Sequence, residues 1–477
     1  MNKKALYILP ILLIGLFVIF KPLLDKKFYG FEYEDSFVNP HIASQKNISP
    51  FLESYRTMGC ETFENGTCKS VASYTGHYAT YAIYLFSINK IFNIQQNHFT
   101  HKIGNAILFI ICFLFVFYLY KDTTSLLTLY VGLISCLPVI YVFNSGLIEN
   151  ISFSLGFMLM VSLYKLKFTK KNCWLILYLL LLLLLINIKR ENLIYASTIV
   201  ILDPKKLLKN YIFWIGLGII IISQAFINPF YTEGLESSYL GKSTFSYDYF
   251  KFQFPTYFAS FFRIDGFLII TLIIFFLIKP SKESFTFLAI WLIFLLSYSF
   301  HYRGQYAIAA GKITHFETFR YMFNTLPLLI GYFLFGDIRK KINMVYPLII
   351  SIVIGIFLTY SNTLIIEEFA LDELNNYHAV NDKINSIKST RGNIAIHDNF
   401  TLISMLNSAS ADIDIYSANN NDITFADGKE NLLINRFKIL NLDNFKNLYT
   451  FQLIDSLSTN STPVYSFNKV FEKNEVK

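Results

Sequence analysis

The chain has 477 residues, of which 54% are hydrophobic, 18% aromatic and only 16% charged, with a formal net charge of +8. A soluble globular domain carries roughly a quarter of charged residues, whereas here apolar runs of about 20 residues, the span of a hydrocarbon core, recur along most of the length. Composition therefore excludes an ordinary soluble domain and points to a polytopic membrane protein. The Lys and Arg sit in short clusters between apolar runs, which argues against a nucleic-acid surface.

Taken in order, MNKK and the apolar run to about Leu24 read as an uncleaved signal anchor, because Lys21-Pro22 follows where a small-residue cleavage site would stand. Spans are expected near 5–24, 103–120, 124–143, 147–164, 173–188, 192–202, 211–228, 264–279, 284–300, 321–336 and 342–361, the sixth being short. With the N-terminus cytosolic, the inner turns hold Lys121, then Lys165, Lys167, Lys170 and Lys171, then Lys205, Lys206 and Lys209, then Lys279 and Lys282, then Arg339, Lys340 and Lys341. That is the positive-inside pattern. The outer turn FNSGLIEN has no Lys or Arg. The fold class expected is a polytopic α-helical membrane domain over 1–361, with a large outer loop at 25–101, followed by a small extracytoplasmic α/β domain at 362–477. The tail shows β-like runs such as NIAIH, DIDIY and NLYTFQLI, with a helical FTLISMLNSA between the first two. No internal repeat is visible, which weighs against transporters built from duplicated halves.

Of five cysteines, Cys112, Cys136 and Cys173 lie in or at the ends of apolar spans and read as packing residues. Cys60 and Cys68 flank the polar ETFENGT as two sides of a tight loop would. A disulfide between them requires an oxidising, non-cytosolic compartment.

Residues able to carry chemistry collect near the outer face. Glu32, Glu34 and Asp35 follow the first span directly; carboxylates there lose hydration if they sink into the bilayer. Partial dehydration raises a carboxylate's pKa toward that of a general base, and an adjacent pair can equally hold a divalent cation through oxygen ligands. Glu149 stands alone among apolar and small residues, either as a functional acid or as an ordinary helix-start carboxylate at a positive dipole end. Lys189, Arg190 and Glu191 interrupt the apolar sequence from Leu175 to Leu202. Three consecutive charges there must face a cavity or one another, or mark a hairpin turn, and Arg190 offers planar donors to phosphate or carboxylate. The segment HYRGQYAIAAGKITHFETFRY supplies Arg303, Lys312, Arg320 and Tyr321, cations placed for a lipid phosphate or for bulk anionic headgroups. His77, in the aromatic SYTGHYATY, joins them as a substrate contact. The histidines lack zinc-ligand spacing, and no Walker, dinucleotide-glycine or G-x-S-x-G motif is present.

In this order and on this common side, the elements resemble the GT-C superfamily of membrane glycosyltransferases that use polyprenyl-phosphate sugars. EDSFVNPHIA is similar to the acidic motif opening the family's first outer loop, with Glu34 and Asp35 in the acidic places and Phe37 in the aromatic one. KREN resembles an element whose Arg and Glu cap a hairpin facing the active cavity. FRYMFNTLPLL resembles a late Arg-Tyr…Pro element, with Arg320, Tyr321 and Pro327 in matching places. The resemblance covers roughly the first 360 residues and a soluble tail.

It implies an inverting transfer of a hexosyl or pentosyl group from a polyprenyl-phosphate donor to a glycan, lipid or protein acceptor of the cell envelope, at the plasma (inner) membrane. Asp35 is the implied catalytic base, with Glu34 beside it. Glu149, Arg190, Glu191, His77, Arg303, Lys312, Arg320 and Tyr321 are the implied substrate-binding residues, the cations stabilising the leaving phosphate. Glu34 stands where Asp is commoner, so metal dependence stays open. A WWD-type element is absent from the tail, which argues against N-glycan transfer to protein. Alternatives are a lipid-linked glycan flippase, which needs charged or broken sites at mid-span, an O-antigen polymerase or ligase, which usually carries its large loop late, and a non-catalytic scaffold.

Overall fold

A computed structural model describes residues 60–62, 68–70, 80–93, 97–119, 123–144, 149–224, 246–264, 266–300, 322–338, 346, 348–350, 352–361, 364, 383–384, 386–387, 394–398, 414–419, 422–423, 430–436, 442–445, 448–459 and 462–472. The chain divides into two compact units, one of residues 1–26 and 102–367 and the other of 27–101 and 368–477.

The first unit is helical. Its elements are α2 (Asn97–Leu119, of which 97–101 belong with α1, Thr80–Phe92, to the other unit), α3 (Thr123–Ile134), α4 (Leu137–Asn144), α5 (Glu149–Thr169) and α6 (Asn172–Ile186). A 3-10 helix (Arg190–Ile201), α7 (Pro204–Leu208), α8 (Tyr211–Gln224), α9 (Tyr247–Ser260), α10 (Leu268–Leu277), α11 (Lys282–Phe300) and α12 (Leu326–Phe335) follow. Among the described residues, α5 and α11 are long and apolar enough to cross a membrane. Their surroundings fit that solvent. Leu175, Tyr178, Leu179, Leu182 and Leu185 of α6 are buried, yet Ile176, Leu180 and Leu184 on its opposite face are exposed. Ile215, Ile219 and Ile222 of α8 are each roughly half exposed. A helix hydrophobic all round suits an apolar environment on both sides.

Two expected spans take other forms. The run 124–143 is not one helix, because α3 ends at Ile134 and α4 restarts at Leu137 with Pro138 in its first turn. Proline has no N–H to give and fits only a helix's opening turn. At the break, Ser135 Oγ and Cys136 Sγ donate back to the Gly132 carbonyl at 2.8 and 3.1 Å. The short sixth span is the 3-10 helix. Its 12 residues at a rise of about 2.0 Å cover roughly 24 Å, where an α-helix of that length would cover about 18 Å. Cys112 and Cys136 are buried, but Cys173 is exposed in α6's first turn, where it packs against nothing that buries it.

The two ends of this unit differ chemically. At one end Lys167 Nζ donates to the Ile201 carbonyl at 2.6 Å and lies 3.2 Å from Glu283, tying together the turns after α5, after the 3-10 helix and before α11. There β3 (Ile278–Lys279) pairs with β4 (Asp337–Ile338). Three of the basic turns expected on one side thus lie at one end, and Arg339, Lys340 and Lys341 lie outside the described residues.

In the second unit, β1 (Cys60–Thr62) and β2 (Cys68–Ser70) form an antiparallel ribbon that sets Cys60 opposite Ser70 and Cys68 opposite Thr62. The tail folds as a six-stranded sheet in the order β7-β6-β5-β8-β10-β9, with β5 (Ile394–Asp398), β6 (Asp414–Asn419), β7 (Asp422–Ile423), β8 (Glu430–Arg436), β9 (Tyr449–Thr459) and β10 (Thr462–Glu472). β5 runs parallel to β6 and β8, and β10 antiparallel to β8 and β9. A parallel pair needs a crossover of about a dozen residues or more; the connection 399–413, containing FTLISMLNSA, lies outside the described residues. Leu433 and Val470 form the sheet's core with Leu442, Tyr449 and Phe451 packed on it. Lys469 pairs with Glu430 at 3.2 Å and Lys383 with Asp455.

Candidate functional site

Glu149 is the first residue of α5, where the free N–H groups and the positive end of the helix dipole favour a carboxylate. Its side chain is wholly buried, and its Oε1 accepts from Lys189 Nζ at 3.0 Å; Lys189 is itself 1% exposed. The α6 helix reaches this point and stops. Asn187 caps it, donating to the Leu183 and Leu185 carbonyls, and Ile188 donates to the Leu185 carbonyl at 3.1 Å. Lys189 follows in extended backbone (φ −153°, ψ 135°), which turns the chain back into the 3-10 helix.

That helix is built on a period of three. Asn192, Tyr195, Thr198 and Ile201 are buried, while Leu193 and Val200 are exposed. In a 3-10 helix residues i and i+3 eclipse, so these four form one straight edge. Each turn of the edge is hydrogen-bonded. Asn192 Nδ2 donates to Ser152 Oγ and to the Leu185 carbonyl, both at 2.9 Å. Tyr195 Oη donates to the Asn324 carbonyl. Thr198 Oγ1 meets Tyr178 Oη at 3.0 Å. Asn192 thus adds a side-chain hydrogen bond at the C-terminus of α6 and ties it to α5.

The segment before α12 closes the same end. The Phe323 ring lies 4.7 Å from Phe153 and 6.2 Å from Phe143. A Cβ added at Gly156 would stand 2.8 Å from Pro327 Cγ and 3.3 Å from Tyr195 Oη, so the glycine permits the close approach of α5, α12 and the 3-10 helix. Ser246 N donates to the Phe300 carbonyl at 3.1 Å, bringing the start of α9 to the end of α11. Glu149 and Lys167 lie 18 positions apart on α5, about 27 Å along the axis. The buried acid–base pair and the basic turns therefore occupy opposite ends.

Around α5's first turns the structure buries more polar atoms than it pairs. Neither carboxamide atom of Asn150, neither of Asn324, nor Ser154 Oγ, nor Asn192 Oδ1 has a hydrogen-bond partner. Leaving such a group unmet costs about 1–3 kcal/mol, and native structures keep few.

Of the residues singled out in the sequence, Glu149 and the KREN element are brought together. Glu149 pairs there with Lys189. Arg190 opens the 3-10 helix and Glu191 follows it, half-buried. Glu34, Asp35, His77, Arg303, Lys312, Arg320 and Tyr321 lie outside the described residues, and Cys60 and Cys68 occupy the β1–β2 ribbon. Sequence reading passed over Asn150, Ser152, Asn192 and Asn324. The period-three spacing of Asn192, Tyr195, Thr198 and Ile201 was the signal available for one of them. Among the described residues no group of three or more His, Cys, Asp or Glu side chains could hold a metal.

The described residues form a helical unit with chemically distinct ends and a β-sheet tail. No protein-family model matches the chain, and no curated protein matches it in sequence. In structure it is similar to ArnT from Cupriavidus metallidurans. ArnT bound to undecaprenyl phosphate aligns with a TM-score of 0.60 at 7% identity, covering 97% of this chain and 98% of that one. The apo state of ArnT gives 0.59 at 8% identity over 98% of each chain. At this identity the likeness is one of fold.

Proposed function

We propose that this chain is an integral membrane glycosyltransferase that moves a sugar, with inversion, from a polyprenyl-phosphate donor to a cell-envelope acceptor on the extracytoplasmic face. The observation that carries the reading is the likeness in fold, over nearly the whole chain, to a protein crystallised with undecaprenyl phosphate. The basic turns gathered at one end of the helical unit support a cytosolic placement of that end, and hence an extracytoplasmic placement of its Glu149 end; the tail is assigned to the extracytoplasmic side as well.

In this reading Asp35 takes the proton of an acceptor hydroxyl, whose oxygen attacks the anomeric carbon from the face opposite the phosphate. The anomeric C–O bond breaks and its electron pair leaves with the lipid phosphate. A phosphate is a competent leaving group, so the demand is for positive charge as it departs. Arg190, Arg303, Lys312 and Arg320 are assigned to that task, with His77, Glu191 and Tyr321 as further contacts. Glu149 serves the site by holding Lys189 and with it the turn that presents Arg190 and Glu191. Glu34 and Asp35 would supply oxygen ligands to a divalent cation. Cys60 and Cys68 are assigned as a disulfide on the oxidising side.

The test is direct. The full-length chain in lipid nanodiscs, given undecaprenyl-phosphate-linked hexoses and pentoses with envelope extract as acceptor, should release undecaprenyl phosphate. Asp35→Asn should slow release by about 10²-fold or more, the usual range for a general base. Release from none of these donors, or an undiminished rate in Asp35→Asn, would overturn the reading.

A further inference from the structure

We infer that the basic turns at the Lys167 end hold an anionic phospholipid, its phosphate on a cluster of lysines and its chains along the exposed face of α8. The inference rests on the membrane setting proposed above and is independent of the sugar donor. Two turns make the cluster, the one between α5 and α6 and the one that carries α7. Asn210 Nδ2 donates to Asn172 Oδ1 at 2.9 Å, which makes the turns neighbours. Lys170 and Lys171 stand directly before Asn172, Lys209 directly before Asn210, and Lys205 and Lys206 lie in α7; all five are exposed. Lys170 adopts φ 56°, the left-handed conformation that helix ends usually give to glycine. Backbone outliers of this kind gather at functional places, and here the residue kept is a charged one.

Positive charge is in excess at this spot. Across 164–173 and 202–212 the one acid is Asp203, which caps α7 through Lys205 N and lies 3.8 Å from Lys206. Lys167 is engaged with Glu283. The other lysines of the cluster share no further acid in either turn, and like charges held together repel unless an anion joins them. Apolar surface continues from the cluster. Tyr211, Trp214 and Ile215 at the start of α8 are 70%, 52% and 58% exposed, and Ile219 and Ile222 extend the stripe. Trp214 Nε1 donates to the Leu208 carbonyl at 2.9 Å, which holds the indole beside α7. Tyr and Trp rings belong where headgroups meet chains. Cations, then aromatic rings, then an aliphatic stripe follow the order of phosphate, glycerol and acyl chain in an anionic lipid, the class that basic clusters at a membrane face attract. A soluble phosphate would use the lysines alone.

Native mass spectrometry of the full-length protein in detergent, titrated with phosphatidylglycerol, phosphatidylcholine or glycerol 3-phosphate, tests this. The wild type should bind phosphatidylglycerol about tenfold or more tighter than phosphatidylcholine, and glycerol 3-phosphate at equal concentration should not displace it. Lys170→Gln, Lys171→Gln and Lys209→Gln combined should bring the two lipids within about twofold of each other, since each lysine near the surface is worth about fivefold. Lys170→Arg, Lys171→Arg and Lys209→Arg combined should keep the preference. Equal binding of both lipids by the wild type, an undiminished preference in the Gln variant, or displacement by glycerol 3-phosphate would overturn the inference, the last by showing a site for a bare anion. No sugar donor or acceptor is present in the titration, so its outcome and that of the sugar-transfer test are read separately.

Discussion

Glu149 and Lys189 show how a chain with few charges places two of them out of water. Each ion alone would be costly to bury, and a 3.0 Å contact with the helix dipole behind the carboxylate offsets part of that cost. Lys189→Met strands the carboxylate and should cost about 3–5 kcal/mol, read as a lowered melting temperature in detergent. The double change Lys189→Met with Glu149→Leu should recover most of the loss. If the single and double variants melt together, the pair is not what holds this turn. The sequence displayed Glu149 as an isolated acid and Lys189-Arg190-Glu191 as an interruption. It could not say which of three consecutive charges turns inward, because neighbours on a helical backbone point in different directions and the choice depends on what α5 presents.

At the scale of elements, the 3-10 helix joins the two ends of the bundle. One edge of it carries Asn192, Tyr195, Thr198 and Ile201, and every turn of that edge is hydrogen-bonded to α5, α6 or the segment before α12. Tyr195→Phe removes one such bond and should cost about 0.5–1.5 kcal/mol. Gly156→Ala pushes a methyl toward Pro327 and Tyr195 and should cost about 1–3 kcal/mol by overpacking. Both are checked by thermal unfolding in detergent, and a Gly156→Ala variant as stable as the wild type would show that α12 does not approach as closely as described. Most of the bundle was legible from hydrophobic runs. The 3-10 helix appeared only as a span too short, since a search at 3.6 residues per turn blurs a repeat of three. The break between α3 and α4 carried its sign in Pro138, but a run of apolar residues on both sides masked it. In the tail, NIAIH, DIDIY and NLYTFQLI correspond to β5, β6 and β9. β8 and β10 needed the sheet itself, because ENLLINR mixes both faces of a strand buried between neighbours.

For the whole molecule, the exposed stripes of α6 and α8, and the exposed Leu272, Phe275 and Phe276 of α10, matter most. Leu180 stands midway along α6 with the opposite face buried. If that stripe meets lipid, Leu180→Arg places a charge near mid-membrane at a cost of about 2.5–3.5 kcal/mol, and the yield of membrane-inserted protein should fall sharply. Wild-type yield and stability for Leu180→Arg would mean the stripe faces water or protein. The likeness to ArnT extends over 97% of this chain, and at 7% identity it is a likeness of fold.

The central claim is sugar transfer with Asp35 as the base, and mass spectrometry of cell-surface glycans and lipids from cells carrying the wild type or Asp35→Asn tests it most directly. The account predicts that the Asp35→Asn cells lack one sugar residue from one envelope component and accumulate its unmodified acceptor. Identical spectra from the two, with the variant protein present in the membrane at normal levels, would contradict it.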